Sequence, residues 1–342
     1  MIEKIKTKIL KEIAKGKSFW EILRDSDFLL KDFIQAMNEI YEKGLIKTED
    51  NRLVLTKKGR KKINESSLMF EPKICNKCGG KRILLNDSFK KIFLEYKKIV
   101  KERPFPELKY FQGYMNEYDV IARIAFIHLC DGLENKKIVL VGDDDLVSIA
   151  LALTNLAKRI CVLDIDEKLG EYINEICKKH KLDIEFYHYD VSDPLPKTFV
   201  GKFDIFSSEP LETLSGLKAF LARGVSCLKD NGSGYFGLTR AEASYKKWLE
   251  IEKFLNRMNC VITDLISGFS VYPTLYGNIS FENFVKMLNF PVERNEGIDW
   301  YKSSLFRIEV LGKPKLIIPP EKKIKIKFVD AKEDLTMDVK RM

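Results

Sequence analysis

Residues 137–145 read Lys-Ile-Val-Leu-Val-Gly-Asp-Asp-Asp, in which four apolar residues are followed by a glycine and three consecutive acids. A short apolar run of this kind, bounded by a turn residue, is typical of a parallel strand that is buried on both faces. The apolar stretch from Leu146 to Leu156 follows directly and predicts a helix. A strand, a glycine turn and a helix in succession form the first unit of an alternating strand and helix fold.

The same alternation continues towards the carboxyl terminus. Further strands are predicted at residues 159–163, 184–190, 203–206, 233–238, 261–265 and 305–310. Helices are predicted between them, most clearly at residues 167–180 and 214–229. The pattern predicts an α/β fold with a doubly wound, Rossmann-like sheet of the methyltransferase type, which we assign to residues 101–311.

Acidic residues follow the first four predicted strands: Asp143 to Asp145, then Asp164, Asp190 and Glu209. Ligands of open parallel sheets bind at the carboxyl ends of the strands, so these acids are expected to share one site. Asp164 is placed to accept from ribose hydroxyls, and Asp190 from the amino group of adenine. A single acid in such a position is more often a turn residue or a helix cap. Four in succession favour a fold that binds S-adenosylmethionine.

The glycine loop, Gly142-Asp143-Asp144-Asp145, is the most informative of these segments. A dinucleotide site needs Gly-x-Gly-x-x-Gly, whose backbone amides face a pyrophosphate. Three acids would repel a phosphate, and they would also repel the carboxylate of S-adenosylmethionine. Decarboxylated S-adenosylmethionine fits better because it keeps only the sulfonium and the amine. Glu209 extends the acidic pocket towards a second cation, for which a polyamine is the natural acceptor.

Two other interpretations of the three aspartates stay open. They could hold a metal ion such as Mg²⁺, which prefers oxygen ligands. They could instead cap the helix that follows them.

Residues 1–65 predict a small helical module. Ser18 and Glu21 form a capping box that begins one helix, and residues 28–43 place apolar side chains at helical spacing before a glycine. Two short apolar runs around a polar turn then predict a hairpin at residues 45–55, and another helix is expected to begin after it. Helices followed by a small hairpin resemble a winged-helix domain.

A winged-helix-like module has two functional interpretations. The first is DNA binding through its second and third helices. The second is docking or dimerisation by a module that kept the fold and lost the DNA. The recognition-like stretch carries Asp32 and Glu39 and few arginines, which favours the second interpretation.

Residues 66–100 are predicted to form a linker with a Cys-x-x-Cys knuckle at Cys75 and Cys78. Structural zinc needs four ligands, and neither the other cysteines nor the three histidines show ligand spacing. The knuckle is therefore either half of a zinc site shared across a dimer or a remnant without metal. We favour the remnant and predict no metal site.

The net charge of +9 is concentrated at the two ends of the chain, with +5 in residues 1–65 and +5 in residues 312–329. A basic surface suggests an anionic partner such as nucleic acid, and here only for the ends. We assign residues 312–342 to a tail that is first basic and then acidic. Alternating Ile and Lys at residues 322–327 predict an edge strand or an unstructured arm. The acidic part, from Asp330 to Asp338, is expected to face a cationic substrate.

Composition limits the remaining classes. The sequence has no run of about 18 uncharged apolar residues, and Glu3 and Lys4 stand where a signal peptide needs apolar residues. We therefore expect a cytoplasmic protein without a membrane partner. Seven scattered cysteines are not a disulfide framework. Abundant Lys, Glu and Ile with only two Gln are typical of proteins from thermophiles.

Five segments of the chain resemble the branched-chain polyamine synthases of thermophiles, the N(4)-bis(aminopropyl)spermidine synthases. The segments are VGDDDLVSIALAL at 141–153, KRICVLDIDEKL at 158–169, EPLET at 209–213, SGYFGLTRAEAS at 233–244 and DWYKSSLFRI at 299–308. The resemblance implies transfer of aminopropyl groups from decarboxylated S-adenosylmethionine to the central amine of spermidine, without a tightly bound cofactor. It also implies a winged-helix-like N-terminal domain, a homodimer and a mobile carboxyl-terminal segment over the active site.

Roles for individual residues follow from these motifs. Glu209 is expected to be catalytic, as a base or as the electrostatic partner of the attacking amine. Asp143 and Asp144 are expected to hold the aminopropyl end of the donor. Gln112 matches a family position and is expected to line the donor pocket beside Gly142. Trp300 and Tyr301, near the start of a predicted strand, either stack on substrate cations or belong to the core.

One segment departs from the family pattern. The family carries Asp-Pro-Pro after the fourth strand, and the matching residues here are Glu209-Pro210-Leu211. Glutamate keeps the charge but reaches one methylene further, about 1.5 Å, and catalytic geometry is sensitive to shifts of about 1 Å. The departure bears on the acceptor and the exact product more than on the reaction class.

Two competing functions share parts of this pattern. An S-adenosylmethionine-dependent N-methyltransferase acting on nucleic acid would have the same fold, but Leu211 stands where a flipped base needs an aromatic side chain. A DNA-binding regulator that senses a polyamine or a nucleotide without catalysis would bind DNA in a salt-sensitive way. Nucleic acid is thus a less expected partner than a small polyamine.

Overall fold

A mixed seven-stranded sheet with helices on both faces forms the larger part of the protein, and a helical module with a hairpin precedes it. The computed structural model describes residues 1–70, 73–276, 279–330 and 332–336. The helices are α1 (Ile2–Ala14), α2 (Phe19–Arg24), α3 (Leu30–Glu42), α4 (Lys57–Arg60), α5 (Asp87–Val100), α6 (Glu117–Asp131), α7 (Val147–Leu153), α8 (Glu167–His180), α9 (Leu214–Cys227) and α10 (Tyr245–Arg257). The strands are β1 (Ile46–Glu49), β2 (Arg52–Leu55), β3 (Lys137–Val141), β4 (Arg159–Asp164), β5 (Glu185–His188), β6 (Phe203–Ser208), β7 (Leu228–Thr239), β8 (Cys260–Tyr272), β9 (Leu275–Tyr276), β10 (Ile279–Ser280) and β11 (Tyr301–Val310).

The strands of the large sheet lie in the order β5-β4-β3-β6-β7-β11-β8. The first five of this row pair in parallel, and β11 is antiparallel to both β7 and β8. The chain runs outward from β3 through β4 to β5 and then returns to the other side of β3 as β6. This order confirms the doubly wound, methyltransferase-type sheet. A crevice opens at the carboxyl ends of β3 and β6, where the strand order reverses.

The predicted strands agree with the observed ones, but the last three are longer than predicted. β7 begins at Leu228, which pairs with Phe203 of β6, and β8 extends to Tyr272, which pairs with Tyr301 of β11. Pairing to a neighbour extends a strand through glycine and polar residues, whose own strand propensity is low.

Two hydrophobic layers cover the sheet. α5, α6, α7 and α8 pack on one face, where Tyr96 and Ile121 are fully buried. α9 and α10 pack on the other face around Phe206. Burial of apolar surface, worth about 25 cal/mol per Å², therefore holds both layers against the strands that carry the acidic loops.

The linker predicted at residues 66–100 is wrong in its second half. Residues 87–100 form α5, whose fully buried Tyr96 packs against the sheet domain. The Tyr96 hydroxyl also donates to the Asp145 carbonyl at 2.6 Å. Charged side chains on the outer side of α5 dilute its short apolar stripe in the sequence. The sheet domain consequently begins before residue 101.

The N-terminal module has the element order that the sequence predicts, with α1 to α3 followed by the β1–β2 hairpin. The capping box of Ser18 and Glu21 is present at the start of α2. The helix expected after the hairpin is α4, a single turn of 4 residues.

The module shares its hydrophobic core with the loop that precedes β11. Phe284, Phe290 and Trp300 of this loop are buried among the apolar side chains of the module. Trp20 donates its indole N–H to the Glu293 carbonyl at 2.8 Å. Trp300 is only 3 % exposed, so it is a core residue and not a stacking partner for a substrate cation.

The same loop covers the outer side of α3. Asn38 donates to the Met287 carbonyl at 2.9 Å, and Asn289 donates to the Glu42 carboxylate at 2.6 Å. These contacts occupy the helix that a winged-helix domain would place in a DNA groove. The geometry favours docking over DNA binding.

A substitution of Gly234 in β7 tests the packing of the layer formed by α9 and α10 around Phe206. It lies against Phe206 of β6, and a Cβ at this position would overlap the phenyl ring. We expect Gly234→Ala to lower the free energy of unfolding by about 1–3 kcal/mol, the usual cost of overpacking a core. Urea or thermal unfolding measures the change. Gly113→Ala is the control, because a Cβ there meets nothing within 4 Å. Equal stability of both variants would contradict the packing.

Candidate active site

A cavity of about 230 Å³ opens at the carboxyl ends of β3, β4 and β6, where the strand order reverses. The structure brings six of the predicted site residues to its wall. They are Gln112, Gly142, Asp144, Asp164, Asp190 and Glu209.

The glycine loop after β3 is tightly held. Gly142 has a φ of +78°, and a Cβ there would come within 3.3 Å of the Phe220 ring. Glycine is needed because residues with a side chain rarely adopt this conformation. The Gly142 amide donates to the Leu163 carbonyl at 2.9 Å, and the Asp143 amide donates to the Asp164 carboxylate at 2.8 Å. The loop is thereby folded over the end of β4.

Asp143 caps a helix instead of facing the cavity. Its carboxylate accepts from the Ser148 amide in α7 at 3.2 Å, its side chain is buried, and burial raises its pKa well above the ordinary range. Asp143 is not among the residues that line the cavity, because its carboxylate lies on the helix amide. Its role at the aminopropyl end of the donor stays a prediction. Asp145 likewise accepts from the Met115 amide at 2.5 Å.

Asp144 is the aspartate of the loop that faces the cavity. Within the described ranges, its carboxylate has no hydrogen-bond donor and no ion-pair partner. Burial raises its pKa well above the ordinary range, and the negative charges of Asp145 and Asp164 add to the shift. An acid in such surroundings gains most from a ligand that brings positive charge.

Asp164 and Gln112 form the wall beside β4. The two oxygens of Asp164 accept from the Asp143 and Asp166 amides at 2.8 Å each, and burial nevertheless raises its pKa. A carboxylate has about four acceptor positions, so two stay available to a ligand. Gln112 donates to Asp166 at 2.9 Å and accepts from the Glu107 amide at 2.7 Å. Its side chain therefore holds its own loop at the cavity.

Glu209 is paired with a residue outside the predicted set. Arg123 on α6, which is fully buried, donates from Nη2 to Oε1 of Glu209. The other oxygen, Oε2, lies 3.5 Å from the Ser303 hydroxyl. Gly237 makes room for the carboxylate, because a Cβ there would overlap it. One edge of Glu209 is thus fixed on Arg123, and the other faces the cavity.

Arg123 leaves one signal in the sequence. It is a single arginine within an otherwise apolar helical run, residues 120–127. A fully buried arginine needs an acidic partner, so the run could have indicated a buried ion pair. The partner, 86 positions away in the chain, could not be named from the run itself.

A second group of acids, also outside the predicted set, lines the same cavity. Burial raises the pKa of Glu212 well above the ordinary range and that of Glu242 to about 8. Lys247 donates to the carbonyls of these residues at 2.9 and 2.8 Å. It also lies 3.4 Å from Asp330 and 3.2 Å from Glu333. Lys247 thereby ties the acidic part of the tail to the wall.

The tail runs along the cavity as extended chain outside the sheet, so the edge strand predicted at residues 322–327 is wrong. Ile324 donates to the Ser192 carbonyl at 2.7 Å, and Thr213 donates to the Lys327 carbonyl at 2.6 Å. These bonds also distinguish the segment from an unstructured arm. Its lysines are exposed, whereas Ile326 lines the cavity.

The acidic part of the tail also reaches the cavity. Asp330 and Asp334 are among its lining residues, and Asp338 lies outside the described residues. The tail thus presents carboxylates inward and ammonium groups outward.

Across residues 1–70, 73–276, 279–330 and 332–336, no group of three or more His, Cys, Asp or Glu side chains could hold a metal ion. Two of the three loop aspartates are bound to backbone amides instead, which removes the support for a Mg²⁺ site. In the same ranges, no helix has both the length and the apolar character to cross a membrane.

Known proteins resemble the chain over most of its length. Residues 91–336 match the family model described as the branched-chain polyamine synthase A C-terminal domain. The N(4)-bis(aminopropyl)spermidine synthases of Thermococcus kodakarensis and Methanocaldococcus jannaschii are 35% and 36% identical, each over 89% of this chain and 86% of the relative. The crystal structure of the Thermus thermophilus branched-chain polyamine synthase, in complex with N4-aminopropylspermidine and 5′-methylthioadenosine, is 28% identical. Its TM-score is 0.81, over 95% of this chain and 91% of that one.

The acids of the cavity predict that a cation displaces protons when it binds. Near pH 7 these acids are partly protonated, since burial raises the pKa of Glu242 in the cavity wall to about 8. A bound polyamine favours the ionised carboxylates and therefore releases protons to the buffer. Calorimetric titration of spermidine at pH 7, in two buffers of different ionisation enthalpy, should give different apparent enthalpies. Equal enthalpies would contradict proton release.

The ligand-free protein provides a control for the direction of these shifts. Acids whose pKa is raised on folding from about 4 leave the native state with more bound protons than the unfolded chain. Stability should therefore fall as the pH rises from about 4 to about 8. Glu242→Gln should flatten the upper part of this decline.

Proposed function

The chain belongs to the branched-chain polyamine synthase family, and we propose that it moves aminopropyl groups from decarboxylated S-adenosylmethionine to the central amine of spermidine, releasing methylthioadenosine. The observation that carries the proposal is the unpaired carboxylate of Asp144 in an acid-lined cavity at the strand ends. The match of residues 91–336 to the family model supports it independently. As a member of this family, the chain is a transferase.

We assign the donor to the ends of β3, β4 and β5. Asp144 binds the primary ammonium of the aminopropyl arm. The two free acceptor positions of Asp164 bind the ribose hydroxyls, and Asp190 accepts from the adenine amine. Gly142, which has no side chain, lets the nucleoside approach the backbone, and Gln112 shapes the wall through its loop.

The same charges select the donor. Intact S-adenosylmethionine carries a carboxylate beside the amine that Asp144 binds. Like charges about 4 Å apart repel by about 4 kcal/mol at an effective dielectric constant of 20. The decarboxylated donor lacks that charge and keeps the attraction for its ammonium and sulfonium groups.

The transfer is a substitution at the aminopropyl carbon next to the sulfonium. The lone pair of the central amine of spermidine forms the new C–N bond, and the breaking C–S bond leaves its electron pair on methylthioadenosine. After the first transfer the nitrogen carries one surplus proton, which Glu209 accepts through Oε2. A second transfer makes the nitrogen quaternary and leaves no proton to remove. Glu209 then acts through orientation and charge.

Arg123 is the positioning residue for this step. Its guanidinium holds Oε1 of Glu209 and neutralises part of the charge. The remaining oxygen is kept towards Ser303 and the cavity. A carboxylate fixed in this way restricts the attacking nitrogen to one approach, which is the main benefit of orientation in a two-substrate reaction.

The proposal extends to the assembly and its location. We infer a homodimer, as the family resemblance implies, and the exposed side chains of Met69, Phe70 and Ile74 suit coverage by a second copy. None of the seven cysteines forms a disulfide, which suits the reducing cytoplasm. Asp330 and Asp334 of the tail are assigned to the arms of the acceptor.

The nucleic-acid alternatives gain no support from the geometry. A DNA-binding regulator needs the outer side of α3, which Met287 and Asn289 contact. A nucleic-acid methyltransferase needs an aromatic side chain for the flipped base, and Leu211 occupies that position in the cavity wall.

Donor preference tests the proposed reaction most directly. In calorimetric titrations, decarboxylated S-adenosylmethionine should bind at least about tenfold more tightly than the intact form, a difference of about 1.4 kcal/mol. Spermidine added with the donor should gain one or two aminopropyl units by mass spectrometry, which also counts the transfers. Asp144→Asn should reduce the preference because the repulsion is lost. Tighter binding of the intact donor would contradict the proposal and point to methyl transfer.

The role of Glu209 has its own test. Glu209→Gln keeps the size of the side chain but removes its charge and its ability to accept a proton. We expect kcat for the first transfer to fall by about 100-fold, with a smaller change in donor affinity. Glu171→Gln is the matched control, since Glu171 is exposed on α8. Activity of Glu209→Gln near that of the wild type would show that another group handles the amine.

A further inference from the structure

The Cys75–Cys78 knuckle lies outside the cavity and takes no part in the proposed reaction. The Gly79 amide donates to the Cys75 carbonyl at 2.8 Å, and the Lys81 amide donates to the Cys78 carbonyl at 2.9 Å. These two turns close the loop that carries the two cysteines, and Cys-x-x-Cys is a spacing with which thiolates bind zinc.

The knuckle is anchored to the edge strand β8. Lys81 donates to the Phe269 carbonyl at 2.5 Å and lies 3.2 Å from the Asp119 carboxylate. Arg82 pairs with Asp264 at 2.8 Å. These contacts hold the segment in one orientation, with Cys75 exposed on the outer surface. A pair of thiols presented in this way is pre-arranged for a ligand from outside the chain.

The pair is only half of a metal site. Zinc bound by thiolates takes four ligands in a tetrahedron, and over the described ranges no third His, Cys, Asp or Glu joins the two cysteines. A second copy related by a twofold axis presents the same surface, and so supplies an identical pair.

Exposed apolar side chains flank the knuckle and point to the same occupant. They are Met69, Phe70, Ile74 and Leu84, which are 85%, 87%, 70% and 60% exposed. Large apolar side chains concentrated in one exposed segment mark a surface that a protein partner covers. A twofold contact through this segment would bury them and bring the four thiols together.

We propose that Cys75 and Cys78 from two copies of this chain bind one zinc ion on the twofold axis of the dimer. Four thiols lose their protons to the solvent, and the resulting site carries a net charge of −2. The exposed Lys73 and Lys77 of each copy offset that charge. The inference rests on the homodimer proposed above and is independent of the reaction chemistry.

Metal content measures the site directly. The full-length protein, purified without chelators, should contain one zinc ion for two chains by inductively coupled plasma mass spectrometry, with iron quantified in the same samples. Cys75→Ser and Cys78→Ser should each lose the metal, and Cys130→Ser on α6 is the matched control that keeps it. Replacement of zinc by Co²⁺ should give thiolate charge-transfer and tetrahedral d–d bands that both knuckle variants lack.

Several outcomes would overturn the inference. One metal ion per chain would exclude sharing, and metal retained by Cys75→Ser would exclude the ligand set. A protein that takes up neither Zn²⁺ nor Co²⁺, or one isolated with a Cys75–Cys78 disulfide, would exclude the site. Iron at one ion for two chains would overturn the choice of metal.

Sedimentation and activity separate this inference from the proposed function. Cys75→Ser should dissociate into single chains at a higher protein concentration than the wild type. It should retain aminopropyl transfer at moderate temperature where it remains dimeric, because the knuckle does not reach the cavity. Transfer by a metal-free wild type would refute only the zinc site. Zinc binding without transfer would refute only the proposed function.

Discussion

Like charges gathered at the carboxyl ends of β3, β4 and β6 are the constraint on which the cavity depends. Asp143, Asp145 and Asp164 accept backbone amides, and Glu209 pairs with a buried guanidinium. Asp144 has no such partner within the described chain. A half-buried acid without a partner is costly, so the fold keeps one carboxyl group whose charge is best balanced by a ligand.

The position of these acids in the fold could be predicted from the sequence, but the different role of each one could not. Buried parallel strands are apolar throughout and alternate with amphipathic helices, so the sheet and the edge that carries the acids were predictable. The direction of each acid was not, because it depends on backbone torsions such as the positive φ of Gly142 and Leu146. Asp143 and Asp144 are neighbours with the same chemistry, and only the folded loop separates a helix cap from a cavity wall.

The ion pair of Arg123 and Glu209 and the path of the tail were out of reach for a related reason. Both depend on contacts between distant parts of the chain, and local patterns carry no information on the partner. Alternating Ile and Lys at residues 322–327 correctly indicate one inward and one outward side. The backbone of the tail keeps this alternation while it hydrogen-bonds to Ser192 and Thr213 instead of to a neighbouring strand. A period therefore predicts which side chains are buried but not what buries them.

The shared core of the N-terminal module has a consequence for the growing chain on the ribosome. Residues 1–65 leave the ribosome before Phe284, Phe290 and Trp300, which complete their core and follow about 220 residues later. At about 5–20 residues per second, this interval is on the order of 10–40 s. Trp20 and its apolar neighbours have no complete core during that time. The N-terminal module is one structural unit, but its core is completed only after the loop that precedes β11 has been synthesised. Until then the apolar side chains of the module are exposed to aggregation.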